Sequence, residues 1–391
     1  MTFMDGTRLL SIAALAAWGW LGGLPASAQS HVLSVTTLAG SAMVPGGDDG
    51  TGSVARFYLP YGIAVDSAGN AYVADTYNHA LRKVTAAGVV TTLAGLAGNL
   101  GHADGAGAAA SFYGLYGVAV ASTGTVYVAD THNQTIRKVT AAGVVTTLAG
   151  SAENAGVADG TGSVARFNLP AALAMDGAGN IYVADSSNHS IRKITPAGNV
   201  TTLAGSSGTS GSADGTGSAA RFYYPTGVAA DGAGNIYVAD QYNHTIRKVT
   251  AAGVTTTLAG SAGVSGGEDG TGSAARFYYP AGVAVDGDGN IYVADYSNST
   301  IRRVTPAGVV TTLAGAPGVY AGTDGTGSAS RFYGVPSLAL DSASSMYVVD
   351  REGCTIRKGI LVPAVWTGAI DSGGGWSYLA WFGYFKYAGG C

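Results

Sequence analysis

Short apolar runs of four to six residues alternate with glycine-rich turns along most of the chain. In the clearest stretch the runs cover 227–230, 236–239, 245–250 and 254–258. Runs of this length, bounded by Gly, Asn and Asp, are typical of antiparallel strands joined by hairpin turns. None is long enough, with helical spacing of its apolar residues, to predict a helix. The pattern therefore predicts an all-β fold, whose repeating strands we call a, b, c and d in chain order.

The four-strand pattern recurs six times with a period of 55 residues. The aspartate that ends strand b marks this period, and it stands at Asp75, Asp130, Asp185, Asp240, Asp295 and Asp350. A strict period indicates a repeat architecture. Six units of 55 residues fill 29–358. Repeated four-stranded units are typical of the blades of a β-propeller, and an open solenoid is the competing arrangement.

The phrase at the end of strand d distinguishes these two arrangements. It reads Thr-Thr-Leu-Ala-Gly and begins at Thr36, Thr91, Thr146, Thr201, Thr256 and Thr311. The first copy precedes every other strand, whereas the last a-b-c set, at 338–358, has no copy after it. Strand 32–38 can therefore complete the last blade, which removes the exposed edges of an open array. We predict a six-bladed β-propeller of four-stranded antiparallel blades, closed by the N-terminal strand.

The turn after strand b carries a family resemblance. Three copies have Asn-His after Tyr-Val-Ala-Asp, at Asn78-His79, Asn188-His189 and Asn243-His244. These residues resemble the NHL repeat, and the resemblance spans 29–358. The other three copies lack the histidine and have Asn133-Gln134, Asn298-Ser299 and Gly353-Cys354. The resemblance implies a six-bladed propeller that serves as a binding platform. Relatives of the fold include lactonases and lyases with a metal in the central channel.

The two ends of the chain differ from the repeats. Arg8 precedes an apolar run at 9–21, and Pro25-Ala26-Ser27-Ala28 has the small-x-small pattern that signal peptidase recognises. We interpret 1–28 as a signal peptide and expect an exported protein, either periplasmic, extracellular or at the cell surface. An uncleaved anchor is the alternative, although the run is short for a span of about 20 residues.

The C-terminal segment 359–391 is an aromatic, glycine-rich tail. Packing on the propeller, surface attachment and a longer module are all compatible with its composition. Cys354 and Cys391 are the two cysteines of the chain, and either a disulfide between them or two free thiols fits the sequence. The whole chain has a net charge of −4 and 11% charged residues, so it lacks the basic surplus that nucleic-acid binding requires.

Because successive strands reverse direction, the d-to-a and b-to-c connections emerge on the same face. We expect the six b-strand aspartates to set the b-to-c turn by hydrogen bonding to backbone amides. Five d-to-a connections end in Arg-Phe, and we expect each Phe to fill the space between blades. Each Arg is expected to pair with a nearby carboxylate, such as the b-strand Asp; these are Arg56, Arg166, Arg221, Arg276 and Arg331.

Two sets of residues on this face are candidates for binding a protein, peptide or glycan. The first follows each Phe and is expected at the mouth of the central channel; it comprises Tyr58, Tyr113, Asn168, Tyr223, Tyr278 and Tyr333. The second comes from the two corner positions that vary most between units; it comprises Tyr77, His132, Tyr242, Tyr296 and Arg351. Tyrosine combines an apolar ring with a hydrogen-bonding end, which suits such ligands. Packing between blades is the structural alternative for the first set.

No motif predicts a catalytic site, a metal site or a cofactor. Equivalent residues of a ring lie on a circle, so His79, His132, His189 and His244 are too far apart to share one zinc ion. Strand a reads Gly-Ile-Ala-Val or Gly-Val-Ala-Val and offers almost no metal ligands to the channel. We therefore predict an exported, non-catalytic binding platform. A lactonase or lyase with a channel metal is the first alternative, and a structural cell-envelope protein is the second.

Overall fold

The computed structural model describes residues 31–364, 380–381 and 384–385. They fall into two units, of which one comprises His31–Val362. In the other, Ala380–Trp381 and Tyr384–Phe385 form a short antiparallel ladder. The predicted signal peptide 1–28 and most of the predicted tail lie outside the described residues. No helix in the described ranges has the length and apolar character needed to span a membrane.

The unit His31–Val362 consists of six antiparallel sheets, which we number as blades 1 to 6 in the chain order of strand a. The all-β, six-bladed propeller is thereby confirmed. Each blade has five strands rather than four, because a two-residue strand of the d-to-a connection pairs with the outer side of strand d. In blade 4, Gly215 and Thr216 pair with Thr255 and Val254 in this way.

The strands occupy equivalent positions in every blade. The a strands are Ile63–Val65, Leu115–Val120, Pro170–Met175, Pro225–Ala230, Pro280–Val285 and Leu338–Leu340. The b strands are Ala71–Asp75, Val126–Asp130, Ile181–Asp185, Ile236–Asp240, Ile291–Asp295 and Met346–Asp350. The c strands are Ala80–Val84, Thr135–Val139, Ser190–Ile194, Thr245–Val249, Thr300–Val304 and Thr355–Pro363. The d strands are Val89–Ala94, Val144–Gly150, Asn199–Gly205, Val254–Gly260, Val309–Ala314 and His31–Gly40.

Short elements complete the connections. The outer strands are Gly50–Thr51, Gly105–Ala106, Gly160–Thr161, Gly215–Thr216, Gly270–Thr271 and Gly325–Thr326. Each is followed by a single 3₁₀ turn, at Gly52–Val54, Gly107–Ala109, Gly162–Val164, Gly217–Ala219, Gly272–Ala274 and Gly327–Ala329. The b-to-c corners of blades 1 to 5 also contain a 3₁₀ turn, at Thr76–Asn78, Thr131–Asn133, Ser186–Asn188, Gln241–Asn243 and Tyr296–Asn298.

The N-terminal strand closes the ring. His31–Gly40 lies between Thr355–Pro363 and Gly325–Thr326 as strand d of blade 6. Ser34 pairs with Thr326 and Val35 with Gly325. The predicted closure is confirmed, and it pairs a strand edge that an open array would expose.

Apolar clusters between neighbouring blades form the core. In the cluster that joins blades 6 and 1, Phe57 and Val73 pack with Tyr347, Val349 and Ile356. Phe57 is fully buried, as are its equivalents Phe112, Phe167, Phe222, Phe277 and Phe332. The prediction that this phenylalanine fills the space between blades is confirmed. Each such ring stabilises its junction by about 1.5–3 kcal/mol through burial alone.

Candidate binding face

The b-to-c corner is built around the buried carboxylate that ends strand b. In blade 4, Asp240 accepts hydrogen bonds from the backbone N–H of Tyr223 at 2.7 Å and from the Asn243 side chain at 2.8 Å. Arg247 donates to the same carboxylate at 2.7 Å. Burial raises the pKa of Asp240 to about 6, and the Arg247 guanidinium opposes that rise. At neutral pH the group is therefore an ionised, fully paired side chain that holds the corner together.

The arginine of this ion pair is not the predicted one. Arg247, in strand c, bridges Asp240 and the loop residue Asp214, with distances of 2.7 and 2.8 Å. Arg221 instead donates to backbone carbonyls of its own loop, those of Ser218 and Ala220. The expectation for Arg221 and its four equivalents is therefore wrong. The arginine of strand c lies inside the corner, whereas the arginine of the d-to-a loop lies on the outer side of the corner. The strand c arginines are Arg82, Arg137, Arg192, Arg247, Arg302 and Arg357.

The histidine of the repeat links each blade to the next. His189 and His244 accept hydrogen bonds at Nδ1 from the backbone N–H groups of Tyr224 and Tyr279, at 3.3 and 3.2 Å. His79 accepts in the same way from Gly114 of blade 2. Burial lowers the pKa of all three imidazoles below the ordinary value. The neutral ring that this hydrogen bond requires is therefore favoured at neutral pH.

The repeats without this histidine show what the position needs. Gln134 accepts a 2.7 Å hydrogen bond through Oε1 from the backbone N–H of Leu169, the equivalent residue of the next blade. Cys354 hydrogen bonds to the backbone of Leu59 across the closing junction. In these two repeats a carboxamide and a thiol sulfur replace the imidazole acceptor, whereas the Ser299 hydroxyl of blade 5 donates to the carbonyl of Tyr333 at 3.5 Å.

The residue directly after the strand b aspartate, which is the first position of the corner, differs between the two halves of the ring. In blades 1 to 3 a hydroxyl donates to a carbonyl of the next blade, from Thr76 to Leu115 at 2.7 Å, from Thr131 to Pro170 at 2.8 Å and from Ser186 to Pro225 at 2.5 Å. Blades 4 to 6 have Gln241, Tyr296 and Arg351 there, which are larger and lack an aliphatic hydroxyl. Half of the ring thus gives up this junction contact.

The central cavity is small and lined by the beginning of strand a in all six blades. Its volume is about 50 Å³, and the lining residues include Tyr61, Tyr116, Ala171, Thr226 and Pro336. This is room for a few water molecules, far below the several hundred Å³ of a typical ligand pocket. The set that begins with Tyr58 is absent from the described lining and lies three positions earlier in the sequence. In blade 2, Tyr113 contacts the same His132 ring as the lining residue Tyr116, with centroid distances of 4.9 and 5.8 Å.

The cavity lining does not fit a divalent metal ion. It is formed by glycine, apolar residues and the hydroxyls of Tyr61, Tyr116, Thr226 and Ser337, and it contains no carboxylate, imidazole or thiol. Divalent metals in proteins are held mainly by those groups. Across 31–364, moreover, no three His, Cys, Asp or Glu side chains are grouped as a metal would need.

Unlike polar groups converge beside the cavity in blades 5, 6, 1 and 2. Tyr61 and Tyr116 stack with ring centroids 4.5 Å apart. Tyr296 donates to Glu352 at 2.8 Å, and Arg351 pairs with the same carboxylate. Burial and the neighbouring Tyr116 and Tyr296 raise the pKa of Tyr61 well above its ordinary value. Burial and Glu352 raise the pKa of Tyr296 to about 12. These phenols therefore act as neutral hydrogen-bonding groups.

The structure brings several of the predicted binding residues together as exposed aromatic pairs. The ring centroids of Tyr58 and Tyr77 lie 5.3 Å apart, those of Tyr113 and His132 4.9 Å, and those of Tyr223 and Tyr242 5.2 Å. Tyr278 is 39% exposed, whereas Asn168 and Tyr333 are half-buried. Tyr296 and Arg351 belong instead to the polar cluster.

Sequence reasoning missed Tyr224 and Tyr279. Each makes ring contacts with its neighbour, Tyr223 or Tyr278, and the signal was the doublet Tyr-Tyr-Pro that only blades 4 and 5 contain. It also missed Tyr61 and Tyr116. Both were visible as tyrosines that stand three residues after the candidate ring in blades 1 and 2 only.

Comparison with known proteins agrees with this architecture. A family model described as NHL repeat matches 57–84, 112–139, 167–194, 222–249 and 277–303. The chain is 31% identical over 283 residues to Protein SUPPRESSOR OF QUENCHING 1, chloroplastic, of Arabidopsis thaliana, which covers 68% of this chain and 26% of that protein. The chain thus spans about a quarter of the length of that relative.

Two solved structures share the fold. An auxiliary nutrient binding protein from Bacteroides ovatus has a TM-score of 0.63 and 18% identity, and the match covers 85% of this chain and 78% of the other. A gluconolactonase from Xanthomonas campestris has a TM-score of 0.53 and 14% identity, with coverage of 85% and 95%. At these identities the likeness concerns the fold alone.

Proposed function

Because this chain is a six-bladed β-propeller built from NHL repeats, we propose that it is a non-catalytic binding platform for a protein, peptide or glycan. The ligand lies on the face formed by the d-to-a and b-to-c connections. The observation that carries the proposal is the collection of exposed aromatic side chains on this face. Tyr223, Tyr242 and Tyr278 are 38%, 42% and 39% exposed, although aromatic rings of this size are usually buried when they serve only packing.

The central cavity supports binding at the face rather than chemistry in the channel. Lactonases and lyases of this fold use a channel metal, and the lining described above lacks the ligands for one. Unlike groups do converge at Tyr61, Tyr296, Arg351 and Glu352, but the carboxylate is engaged by Tyr296 and Arg351. Both groups contact Oε1, and Oε2 is buried without a hydrogen-bond partner among the described residues. Such a cluster beside an aromatic surface suits selective recognition.

Export is part of the same proposal, since 1–28 has the pattern of a signal peptide and the platform would then meet its ligand outside the cytoplasm. The nutrient-binding role named for the Bacteroides ovatus protein is one example of what a platform of this fold can do. N-terminal sequencing of protein recovered from the periplasm or the medium tests export. A mature chain that still begins at Met1 would contradict it.

Binding arrays test the platform itself. Purified wild-type protein is compared on a glycan array and on a displayed peptide library with the triple variant Tyr223→Ala, Tyr242→Ala, Tyr278→Ala. Val254→Ser is the matched control, because Val254 is also 38% exposed but follows a c-to-d turn on the opposite face. We expect the triple variant to lose the signals of the wild type while the control keeps them. Signals that survive in the triple variant, with its circular dichroism spectrum unchanged, would refute the proposal.

A further inference from the structure

We infer that the ligand of this face is an uncharged glycan, bound along a track of aromatic rings that runs across blades 3 to 5. The inference rests on the proposed function and names its ligand class. We define the aromatic track by the seven side chains that make successive ring contacts there: His189, Tyr223, Tyr224, Tyr242, His244, Tyr278 and Tyr279.

The track is continuous across two blade junctions. The ring centroids of His189 and Tyr224 are 4.9 Å apart, and those of Tyr224 and Tyr242 are 5.1 Å apart. Tyr242 then reaches Tyr279 of the next blade at 5.1 Å, and Tyr279 lies 5.1 Å from Tyr278. Steps of this size are similar to the length of one pyranose unit. A linear oligosaccharide can therefore place one sugar unit beside each successive ring, of which Tyr223, Tyr242 and Tyr278 are the exposed ones.

The tyrosine hydroxyls of the track are available to a ligand. None of the five has a hydrogen-bond partner within 31–364, the stretch in which their neighbours lie. The strand b tyrosines show the opposite behaviour, because Tyr237 donates to Asp231 of its own turn at 3.2 Å. Tyr182 and Tyr292 do the same with Asp176 and Asp286. Tyrosine thus has two roles in this chain. In strand b its hydroxyl makes a structural hydrogen bond, whereas in the track the hydroxyl makes no hydrogen bond with the described residues.

The track is electrically neutral. No Lys or Arg is described over any of its rings, whereas the strand b tyrosines Tyr182 and Tyr237 lie under Lys193 and Lys248, and burial lowers the pKa of the track's two histidines. An acidic glycan, a phosphopeptide or a nucleic acid is recognised through clustered cations, which these seven side chains do not provide. Neutral rings with free hydroxyls match a ligand that has apolar C–H faces and many hydroxyl groups. Charge complementarity therefore favours an uncharged glycan.

A peptide or protein fits less well. The strongest contacts of such partners are aromatic or arginine anchors inserted into well-packed pockets. The central cavity, at about 50 Å³, is too small for such an anchor, and the rings of the track contact one another rather than surround a gap. The rings contact one another at interplanar angles between 32° and 75°, so they form a continuous stepped surface, which suits a ligand that lies along its length.

Affinity electrophoresis tests the inference. Native gels contain hydroxyethylcellulose or galactomannan as neutral polysaccharides, and polygalacturonate as the acidic one. Neutral oligosaccharides from an array then provide Kd values by calorimetry. We expect retardation by at least one neutral polysaccharide and none by polygalacturonate. Tyr242→Ala and Tyr279→Ala should each weaken binding by at least tenfold, and Tyr242→Phe should have a smaller effect because the ring remains. Tyr237→Phe is the control and should bind like the wild type.

The outcomes separate this inference from the proposed function. If peptides or proteins bind in a tyrosine-dependent way but no neutral glycan does, the platform stands and the glycan inference is overturned. Binding of polygalacturonate alone also overturns it. If the alanine variants change the binding of no probe, both the inference and the platform fail. If Tyr242→Ala and Tyr279→Ala are both folded and bind neutral glycans as the wild type does, the aromatic track is not the glycan-binding site, and the inference is overturned.

Discussion

The histidine acceptors at the blade junctions predict a specific dependence of stability on pH. His79, His189 and His244 accept a backbone N–H through Nδ1, so their neutral forms carry the proton on Nε2. Protonation converts Nδ1 into a donor and abolishes the bond. Because burial lowers the folded-state pKa of these rings, the unfolded chain binds protons more tightly than the folded one. Stability is therefore lost as the pH falls below the ordinary histidine value of about 6.5.

The perturbation is to replace all three histidines at once. A neutral hydrogen bond contributes about 1 kcal/mol to stability, so the triple alanine variant should lose about 3 kcal/mol at pH 8. The sites lie at separate junctions, and their effects should add. The triple glutamine variant should lose less than half as much. Gln134 already makes the same bond at 2.7 Å in this chain, in a left-handed backbone conformation like that of His244.

The assay is urea unfolding of the three proteins between about pH 5.5 and pH 8, the range in which histidine titrates. The wild type should lose up to about 3 kcal/mol more than the triple glutamine variant on acidification, because three bonds of about 1 kcal/mol are at stake. The aspartates titrate in both proteins and cancel in the difference. Gln134→His is the reciprocal change and should add pH dependence. Parallel pH profiles for the wild type and the glutamine variant would refute the role of the imidazoles.

Three further predictions concern the scaffold. Arg247→Met should destabilise the protein by about 3–5 kcal/mol in urea unfolding, because it leaves buried Asp240 unpaired, whereas Arg221→Met should cost less than about 1 kcal/mol; equal losses would contradict the assignment of the ion pair. Cys354→Gln should raise the free energy of unfolding by about 1 kcal/mol, because a carboxamide oxygen then accepts the backbone N–H of Leu59 as Gln134 accepts that of Leu169. If the free energy of unfolding does not rise, the thiol already satisfies this N–H. Deleting residues up to Gly40 should abolish cooperative unfolding, since strand d of blade 6 is lost and its neighbours are exposed; a monomer with an unchanged melting temperature would contradict closure by this strand.

The fold was predictable because the sequence repeats its constraints. Six aspartates at intervals of 55 residues and the displaced copy of strand d at 32–38 together specify the number of blades and the closure. The fifth strand was not predictable in this way. Gly215–Thr216 is only two residues long and lies in a glycine-rich loop, so it has no alternating pattern to detect. It forms because strand d presents an edge beside it.

The site was harder to predict, because it depends on pairings across blades. The partner of Asp240 could be chosen between Arg221 and Arg247 only by knowing which side chain points into the corner. One sequence signal favoured the second choice, since the strand c arginine occurs in all six units while the loop arginine is replaced by Ser111 in blade 2. An arginine with a buried structural role tolerates no exception, whereas an arginine on a loop surface does.

The same comparison between blades explains where a ligand site can arise in a symmetric ring. Identical junctions require identical contacts, and in blades 1 to 3 a Thr or Ser hydroxyl supplies one to the next blade. Blades 4 to 6 replace that hydroxyl with Gln241, Tyr296 and Arg351, so the bond to the next blade's carbonyl, worth about 1 kcal/mol, is lost, and Tyr296 donates across its junction to Glu352 instead. Local departures from the stabilising choice are expected at functional positions. The departures occur in the blades that hold Tyr242, Tyr279 and Glu352, so the loss of the repeated contact coincides with most of the proposed binding surface.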